Sequence, residues 1–158
     1  MTTATPKKSA EKTTAAVIDL LNLHLATASD LASQLKQAHW NVVGEEFIAL
    51  HLMFDRQVEL VRGYVDEFAE RARALDGVAH GTVRKAAKHS ALPEFPDGEV
   101  SAKDTLSALL ERFQAYSVIL TEAIKQSDEA GDLTTQDLFI EVQREIDRNA
   151  YFLRSHLR

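Results

Sequence analysis

The residues best placed to do chemistry in this sequence are potential metal ligands, namely His39, His51, Asp55, Asp66 and Glu70. Imidazole and carboxylate groups together form a ligand set that suits Fe(II), with Zn(II), Co(II) or Mn(II) as competitors. His51 and Asp55 are four residues apart, and so are the two acids downstream. On a helix, residues with this spacing lie on one face about a turn apart. The spacing therefore predicts metal binding at a helix surface.

The two pairs of ligands are too far apart to share an ion within one helix. Eleven residues separate them, which at about 1.5 Å per residue is more than about 15 Å along the axis. A second copy of the helix, crossing antiparallel about a two-fold axis, solves this because His51 then faces Glu70. The same rotation places Asp55 opposite Asp66, and both pairings put the crossing point between positions 60 and 61. The sequence thus predicts a metal site between two subunits.

The composition excludes several other kinds of site. The chain has 158 residues, enough for one domain with a substantial core, and it contains no Cys. Thiolate metal sites, disulfides and cysteine catalysis are therefore excluded. The formal net charge of −6 argues against a general nucleic-acid binder, because phosphate contacts need concentrated Lys and Arg. Since there is no membrane-length apolar run and no apolar signal segment, we expect a cytoplasmic protein without membrane contact.

Composition along the chain separates a short tail from a helical domain. Residues 1–13 are polar and hold Lys7, Lys8 and Lys12, which indicates a flexible, mildly basic tail. Residues 14–158 show apolar residues at three- and four-residue steps, the pattern of amphipathic helices. The sequence therefore predicts one domain after the tail.

Four long helices are predicted within this domain. The first runs from about position 14 to 40 and the second from about 46 to 75, where Asp76-Gly77 ends it. A long crossover follows, with a short helix expected at 82–89. The third helix opens at the capping box Ser101–Asp104 and runs to about 127, and the fourth runs from Thr134–Asp137 to about 156. An all-α four-helix bundle with one long crossover is the ferritin-like layout.

These features coincide with a family resemblance that covers essentially the whole chain after the tail. The matching segments are Lys36-Gln-Ala-His-Trp-Asn41, Phe47, Leu50-His51, Asp55, Asp66 and Ala69-Glu-Arg71. Together with the long crossover, they resemble the Dps family, the DNA-binding proteins from starved cells, which are bacterial miniferritins. None of the six His residues has Glu three positions before it, which counts against the intrasubunit di-iron motif of ordinary ferritins.

The resemblance implies a hollow homododecamer with ferroxidase centres at its two-fold interfaces. One subunit would supply His39, His51 and Asp55, and its partner would supply Asp66 and Glu70. Fe(II) would be oxidised by hydrogen peroxide, with dioxygen as the slower oxidant, and Fe(III) would be stored as a mineral in the cavity. Asp55 and Glu70 are expected to be the main ligands with His51 close behind, while His39 and Asp66 would tune or complete a second, weaker iron position.

The resemblance also suggests roles for residues around the iron site. Trp40 matches a Trp near the family's iron site, where it would intercept an oxidising equivalent. Asp128, Asp132 and Asp137 lie where the family forms a three-fold pore for iron entry, and rings of carboxylates attract cations. Helix capping is the alternative for these acids, since a carboxylate complements the dipole at the start of a helix.

Two alternatives to an iron-oxidising miniferritin stay open. In the first, the protein mainly condenses DNA, and Lys7, Lys8 and Lys12 of many tails contact phosphates together. An inert, solvated tail is the competing interpretation. In the second, a helical scaffold holds a structural metal such as zinc at the dimer interface and has little turnover. A salt-sensitive gel shift tests the first alternative, and turnover with iron tests the second.

Overall fold

Long stretches rich in Ala, Leu, Glu and Lys make this chain helical. The computed structural model describes the backbone of residues 6–158 and the side chains of Glu11 and residues 13–158. The elements, in chain order, are α1 (Pro6–Asn41), β1 (Val42–Val43), α2 (Phe47–Ala74), α3 (Val83–His89), β2 (Val100–Ser101), α4 (Ala102–Glu129) and α5 (Leu133–His156). The predicted all-α bundle with a long crossover and a short helix inside it is confirmed. No helix of the described chain is long and apolar enough to cross a membrane.

The four long helices pair as two hairpins, α1 with α2 and α4 with α5. Their apolar stripes meet in one core, whose largest fully buried rings are those of Tyr116, Phe54, Phe68, Phe113 and Phe139. Burial of a side chain of this size contributes roughly 2 kcal/mol. The packing of these stripes fixes the rotation of α2, and the stripe of predicted ligands is left beside the buried one.

Helix α1 begins at Pro6, earlier than the start near position 14 that apolar periodicity predicts. Pro is favoured in a first turn because its missing N–H needs no partner there, and the Lys, Ala and Glu residues that follow are good helix formers. A segment with few apolar residues gives no periodic signal, so the start of α1 was predicted too far along the chain. Met1–Thr5 and the side chains of Lys7, Lys8 and Lys12 lie outside the described residues, and the flexibility of the tail stays a prediction.

A short parallel strand pair, β1 with β2, was not predicted. Val42 lies opposite Val100, and Val43 lies opposite Ser101. Two residues per strand are too few to show an alternating pattern in the sequence. The pair connects the chain just before α2 with the chain just before α4, so it ties the two hairpins together close to the end of α1.

The starts of α4 and α5 show one correct and one incorrect prediction. At α4 the predicted N-cap Ser101 is confirmed, because its Oγ accepts from the Asp104 N–H at 3.1 Å and donates to the Asp104 carboxylate at 2.8 Å. At α5 the predicted start at Thr134 was wrong. Asp132 caps this helix by accepting the Thr135 N–H at 3.1 Å. Both an Asp and a Thr suit an N-cap, and the sequence alone did not choose between them.

The crossover is anchored to the bundle by Arg112, a buried residue of α4. Its Nε donates to the Gln34 side-chain oxygen at 3.1 Å, and the Phe95 ring centroid lies 5.6 Å from its Cζ. A buried guanidinium needs such partners, because an unpaired buried charge is strongly destabilising. Arg112 also donates to the backbone carbonyl oxygen of Glu94, so this part of the crossover is held against α1 and α4.

Candidate metal centre

His39 and His51 stack between the last turn of α1 and the second turn of α2, with ring centroids 3.6 Å apart. Nδ1 of His39 donates to the carbonyl oxygen of His51 at 2.8 Å, and Nδ1 of His51 donates to the carbonyl oxygen of His39 at 2.9 Å. Because a carbonyl oxygen can only accept, each Nδ1 carries the hydrogen. In a neutral imidazole this leaves Nε2 with the lone pair that binds a metal.

Asp55 lies one turn after His51, half exposed, with its carboxylate 4.0 Å from Nδ1 of His39. The ammonium group of Lys36, on α1, donates to this carboxylate. This hydrogen bond, with the positive charge of Lys36, holds the pKa of Asp55 below its usual range. A cation that binds the Asp55 carboxylate would therefore compete with the ammonium group of Lys36.

The role of Lys36 was not predicted, although the sequence contained a signal for it. Lys36 stands three residues before His39 in the same helix, so the two side chains lie on neighbouring positions of one face. A helix pair that brings His39 to His51 must also bring Lys36 towards Asp55. The contact between Lys36 and Asp55 can be predicted only when the spacing of residues on α1 is compared with the spacing on α2.

Asp66 and Glu70 lie farther along α2, on the stripe that holds His51 and Asp55. Both acids are exposed, and neither makes an ion pair within the described residues. Within that part of a single chain, no three His, Asp or Glu side chains come together to hold a metal. The structure thus brings the first three predicted ligands into neighbouring positions and leaves the two downstream acids apart from them.

Several exposed apolar side chains lie near the first three predicted ligands in the chain. Trp40 is 67% exposed at the end of α1, and it borders a surface cavity of about 470 Å³ whose lining includes Lys36 and residues of α2 and α3. Phe47, Ile48 and Leu52 at the start of α2 are exposed as well, and the Phe47 ring lies 5.0 Å from that of His51. A large exposed apolar patch on a folded chain indicates a surface that another protein covers.

The three pore candidates differ in their surroundings. Partial burial raises the pKa of Asp132, but hydrogen bonds from Thr135 and the charge of Arg71 outweigh this and hold it below its usual range. Arg71 Nη2 lies 2.8 Å from the Asp132 carboxylate. Asp132 therefore has the capping role that was the alternative to a pore. Asp128 and Asp137 are exposed on either side of the turn between α4 and α5, and their role in iron entry stays a prediction.

Comparison with known proteins identifies the family of this chain. The ferritin-like domain family matches residues 18–158. A DNA protection during starvation protein from Agrobacterium fabrum is 38% identical over 141 residues, which cover 89% of this chain and 87% of the relative. The chain belongs to the Dps family. A Dps-family relative of the same name from Mycolicibacterium smegmatis is 38% identical over 99% of this chain and 85% of its own length.

The solved structures support the same family. The tetragonal form of Mycobacterium smegmatis Dps matches with a TM-score of 0.89 and 37% identity, over 93% of this chain and 90% of that one. Membership in the Dps family supports iron storage and DNA protection as the general role of the chain, and it supports an oligomeric assembly. Within the described residues of one chain, the predicted ligands near His39 lie apart from Asp66 and Glu70, so a site that used all five would need a second copy.

Proposed function

We propose that this protein binds Fe(II) at a centre shared by two copies of the chain, oxidises it, and stores the Fe(III) product as a mineral inside a hollow dodecamer. One copy supplies His39, His51 and Asp55, and the second supplies Asp66 and Glu70. Iron is the substrate of this reaction, and Zn(II), Co(II) or Mn(II) would compete for the same ligands. Asp128 and Asp137 would attract Fe(II) to an entry pore.

The pair of His side chains is the observation that supports this proposal best. Each ring of His39 and His51 is held by an Nδ1–H bond to a backbone carbonyl, and this fixes the Nε2 lone pairs without the help of a second chain. Outer hydrogen bonds of this kind orient His ligands in metal sites. A buried or packing role for these rings would need no such reciprocal arrangement.

The ligand types suit the oxidation of iron. Imidazole nitrogen binds Fe(II) well, and the carboxylates of Asp55 and Glu70 neutralise the higher charge of Fe(III). Two Fe(II) ions each give one electron to one hydrogen peroxide molecule; its O–O bond breaks, two protons are taken up, and two water molecules form. Because both electrons are delivered at one centre, no hydroxyl radical is released. Fe(III) then hydrolyses to an oxyhydroxide and releases protons, and dioxygen acts as a slower oxidant.

The proposal is tested by anaerobic loading of the metal-free protein with Fe(II), followed by a pulse of hydrogen peroxide. We expect fast, saturable oxidation that yields a soluble ferric core. Asp55→Ala and Glu70→Ala should each abolish the fast phase, while Glu99→Ala, an exposed acid of the crossover, should retain it. Oxidation no faster than that of free iron would contradict the proposal and favour a structural metal at the interface.

A second candidate function is weak DNA binding in the cytoplasm, at the nucleoid. Its support is the presence of Lys7, Lys8 and Lys12 near the N-terminus and the name of the relatives, which refers to DNA protection. Repetition of a weak tail over a dodecamer raises its effective affinity. We expect a gel shift at low salt that disappears at moderate salt and in a chain without residues 1–12. An unchanged shift after truncation would exclude the tail as the DNA contact.

A further inference from the structure

Two oppositely charged side chains lie at the centre of the exposed stripe of α2. Glu59 and Arg62 are both exposed, and they stand between Asp55 and Asp66 along the helix. At about 100° per residue, these four positions fall within a stripe about 60° wide. The face that must meet a second copy therefore has an acid and a base at its middle.

Neither charge has an ion-pair partner among the residues that the structure describes. Arg62 has Glu59 three residues before it and Asp66 four residues after it, spacings that allow helical ion pairs. Within the described residues neither pair is formed, and Glu59 and Arg62 make no hydrogen bond to any other side chain. Both groups are thus available to a partner.

The two-fold register that completes the metal centre also pairs these charges. The rotation that places His51 opposite Glu70 and Asp55 opposite Asp66 brings Glu59 of one copy opposite Arg62 of the other. Each lies about 2 Å along the axis from the crossing point, at about 1.5 Å per residue. Because a two-fold interface repeats every contact, two such pairs form.

A glycine beside these charges supports a close approach of a second helix. Gly63 lies in the middle of α2, where glycine destabilises a helix relative to alanine. A Cβ at this position would meet no atom within 4 Å in this chain, so nothing in the described fold requires glycine there. A second helix that crosses nearby would explain the glycine, because the absence of a side chain at Gly63 leaves room for that helix.

We propose that Glu59 and Arg62 form reciprocal ion pairs across the two-fold axis and set the register of α2 against the second copy. This inference rests on the proposed shared metal centre and adds the contact that aligns its two halves. The occupant of this face is a second copy of the chain. A two-fold rotation places the acid of each copy opposite the base of the other, so the face is complementary in charge to a copy of itself. The two residues are positioning residues, since they align the ligands without binding iron.

The pairing is tested by a charge swap. Glu59→Arg and Arg62→Glu each place like charges opposite one another, so each should weaken dimerisation on the order of ten-fold or more. The double variant restores opposite charges, so it should recover both the assembly and the affinity for Fe(II). Assembly is measured by sedimentation over a dilution series, and anaerobic Fe(II) binding is measured by calorimetry. Glu99→Arg, a charge reversal in the crossover, serves as the control.

The outcomes separate this inference from the proposed function. The proposed ion pairs would be contradicted if the single variants assembled and bound Fe(II) like the parent. They would also be contradicted if the double variant assembled and bound Fe(II) no better than the single variants. Circular dichroism confirms that each variant is helical. If the parent protein fails to oxidise iron, the proposed function fails, while sedimentation of the charge-swapped variants still decides on the pairing.

Discussion

His39 and His51 each donate an Nδ1–H to the other's backbone carbonyl oxygen, at 2.8 and 2.9 Å. The exchange fixes both rings in one tautomer and keeps their free nitrogens available. It also joins α1 to α2 at the point where Asp55 enters the site. These three predicted ligands therefore lie close together within the single chain, while Asp66 and Glu70, the other two predicted ligands, lie farther along the same helix.

Lys36 should act as a competitor of the metal. Lys36→Gln removes the cation that is bonded to Asp55, so the carboxylate becomes free and the pKa of Asp55 moves up towards its usual range. We expect Fe(II) and Zn(II) to bind several-fold more tightly at neutral pH, where Asp55 stays ionised. Calorimetric titration measures this, with Lys85→Gln on α3 as the control. Weaker binding in the Lys36 variant would show that the ammonium group helps to build the site.

Asp132 and Asp137 should respond differently to substitution. Asp132→Ala removes the cap of α5 and the partner of Arg71, so it should lower the free energy of unfolding by about 1–2 kcal/mol. Asp137→Asn removes an exposed charge without a described partner, so it should slow iron uptake and leave stability unchanged. Thermal unfolding and iron-uptake rates measure the two effects. Equal uptake in the Asp137 variant and the parent would exclude this residue from the entry path.

His24 should make the fold sensitive to acid. Burial lowers its pKa from 6.5 to about 3, while the unfolded chain keeps the ordinary value. Between these two pH values His24 binds a proton in the unfolded state but not in the folded state. The contribution of His24 to the free energy of unfolding is therefore fully present above about pH 6.5, and it is lost as the pH decreases. The slope approaches about 1.4 kcal/mol per pH unit for one such group.

The contribution of His24 is isolated by comparing His24→Leu with the parent. The variant leaves the hydroxyl of Tyr116, now 3.3 Å from Nδ1, without this partner, so its stability at pH 7 should be lower. Its unfolding temperature should nevertheless depend less on pH between 6.5 and 4. Parallel pH profiles for the two proteins would show that His24 contributes nothing to acid sensitivity.

Trp40 should report assembly and metal binding through its fluorescence, because it is the only Trp in the chain. Its indole is 67% exposed in the single chain, and a second copy over the neighbouring patch would cover it. We expect emission at shorter wavelength in the assembly than after dissociation, and quenching on anaerobic addition of Fe(II). Asp55→Ala should remove the quenching and keep the emission wavelength. Emission typical of a fully hydrated indole in the intact assembly would contradict the buried position.

The sequence predicted most of the fold because helices are local. The stripe of Leu50, Phe54, Phe68 and Ala72 on α2 repeats often enough to set both the helix and its buried face. What periodicity could not predict were features made by few residues or by two segments at once. The strand pair at Val42 has two residues per strand, too few for a pattern.

The candidate site shows the same division. The spacing of the predicted ligands along α2 follows directly from helix geometry, and the structure places these residues on one helix, as expected. The bond from Lys36 to Asp55 depends on how α1 lies against α2, which no single periodic pattern reports. The bond from Arg71 to Asp132 joins residues 61 positions apart for the same reason. Contacts between elements are where the sequence alone was least informative.

The shared nature of the centre is tested most directly by complementation between two inactive variants. Asp55→Ala and Glu70→Ala chains, each silent alone in peroxide-driven Fe(II) oxidation, are co-expressed with different tags and assembled together. In a mixed dimer one site carries both defects and the other is intact, so random mixing should restore about a quarter of the parent activity. No recovery in mixed assemblies of normal mass would contradict a site divided between two copies of the chain.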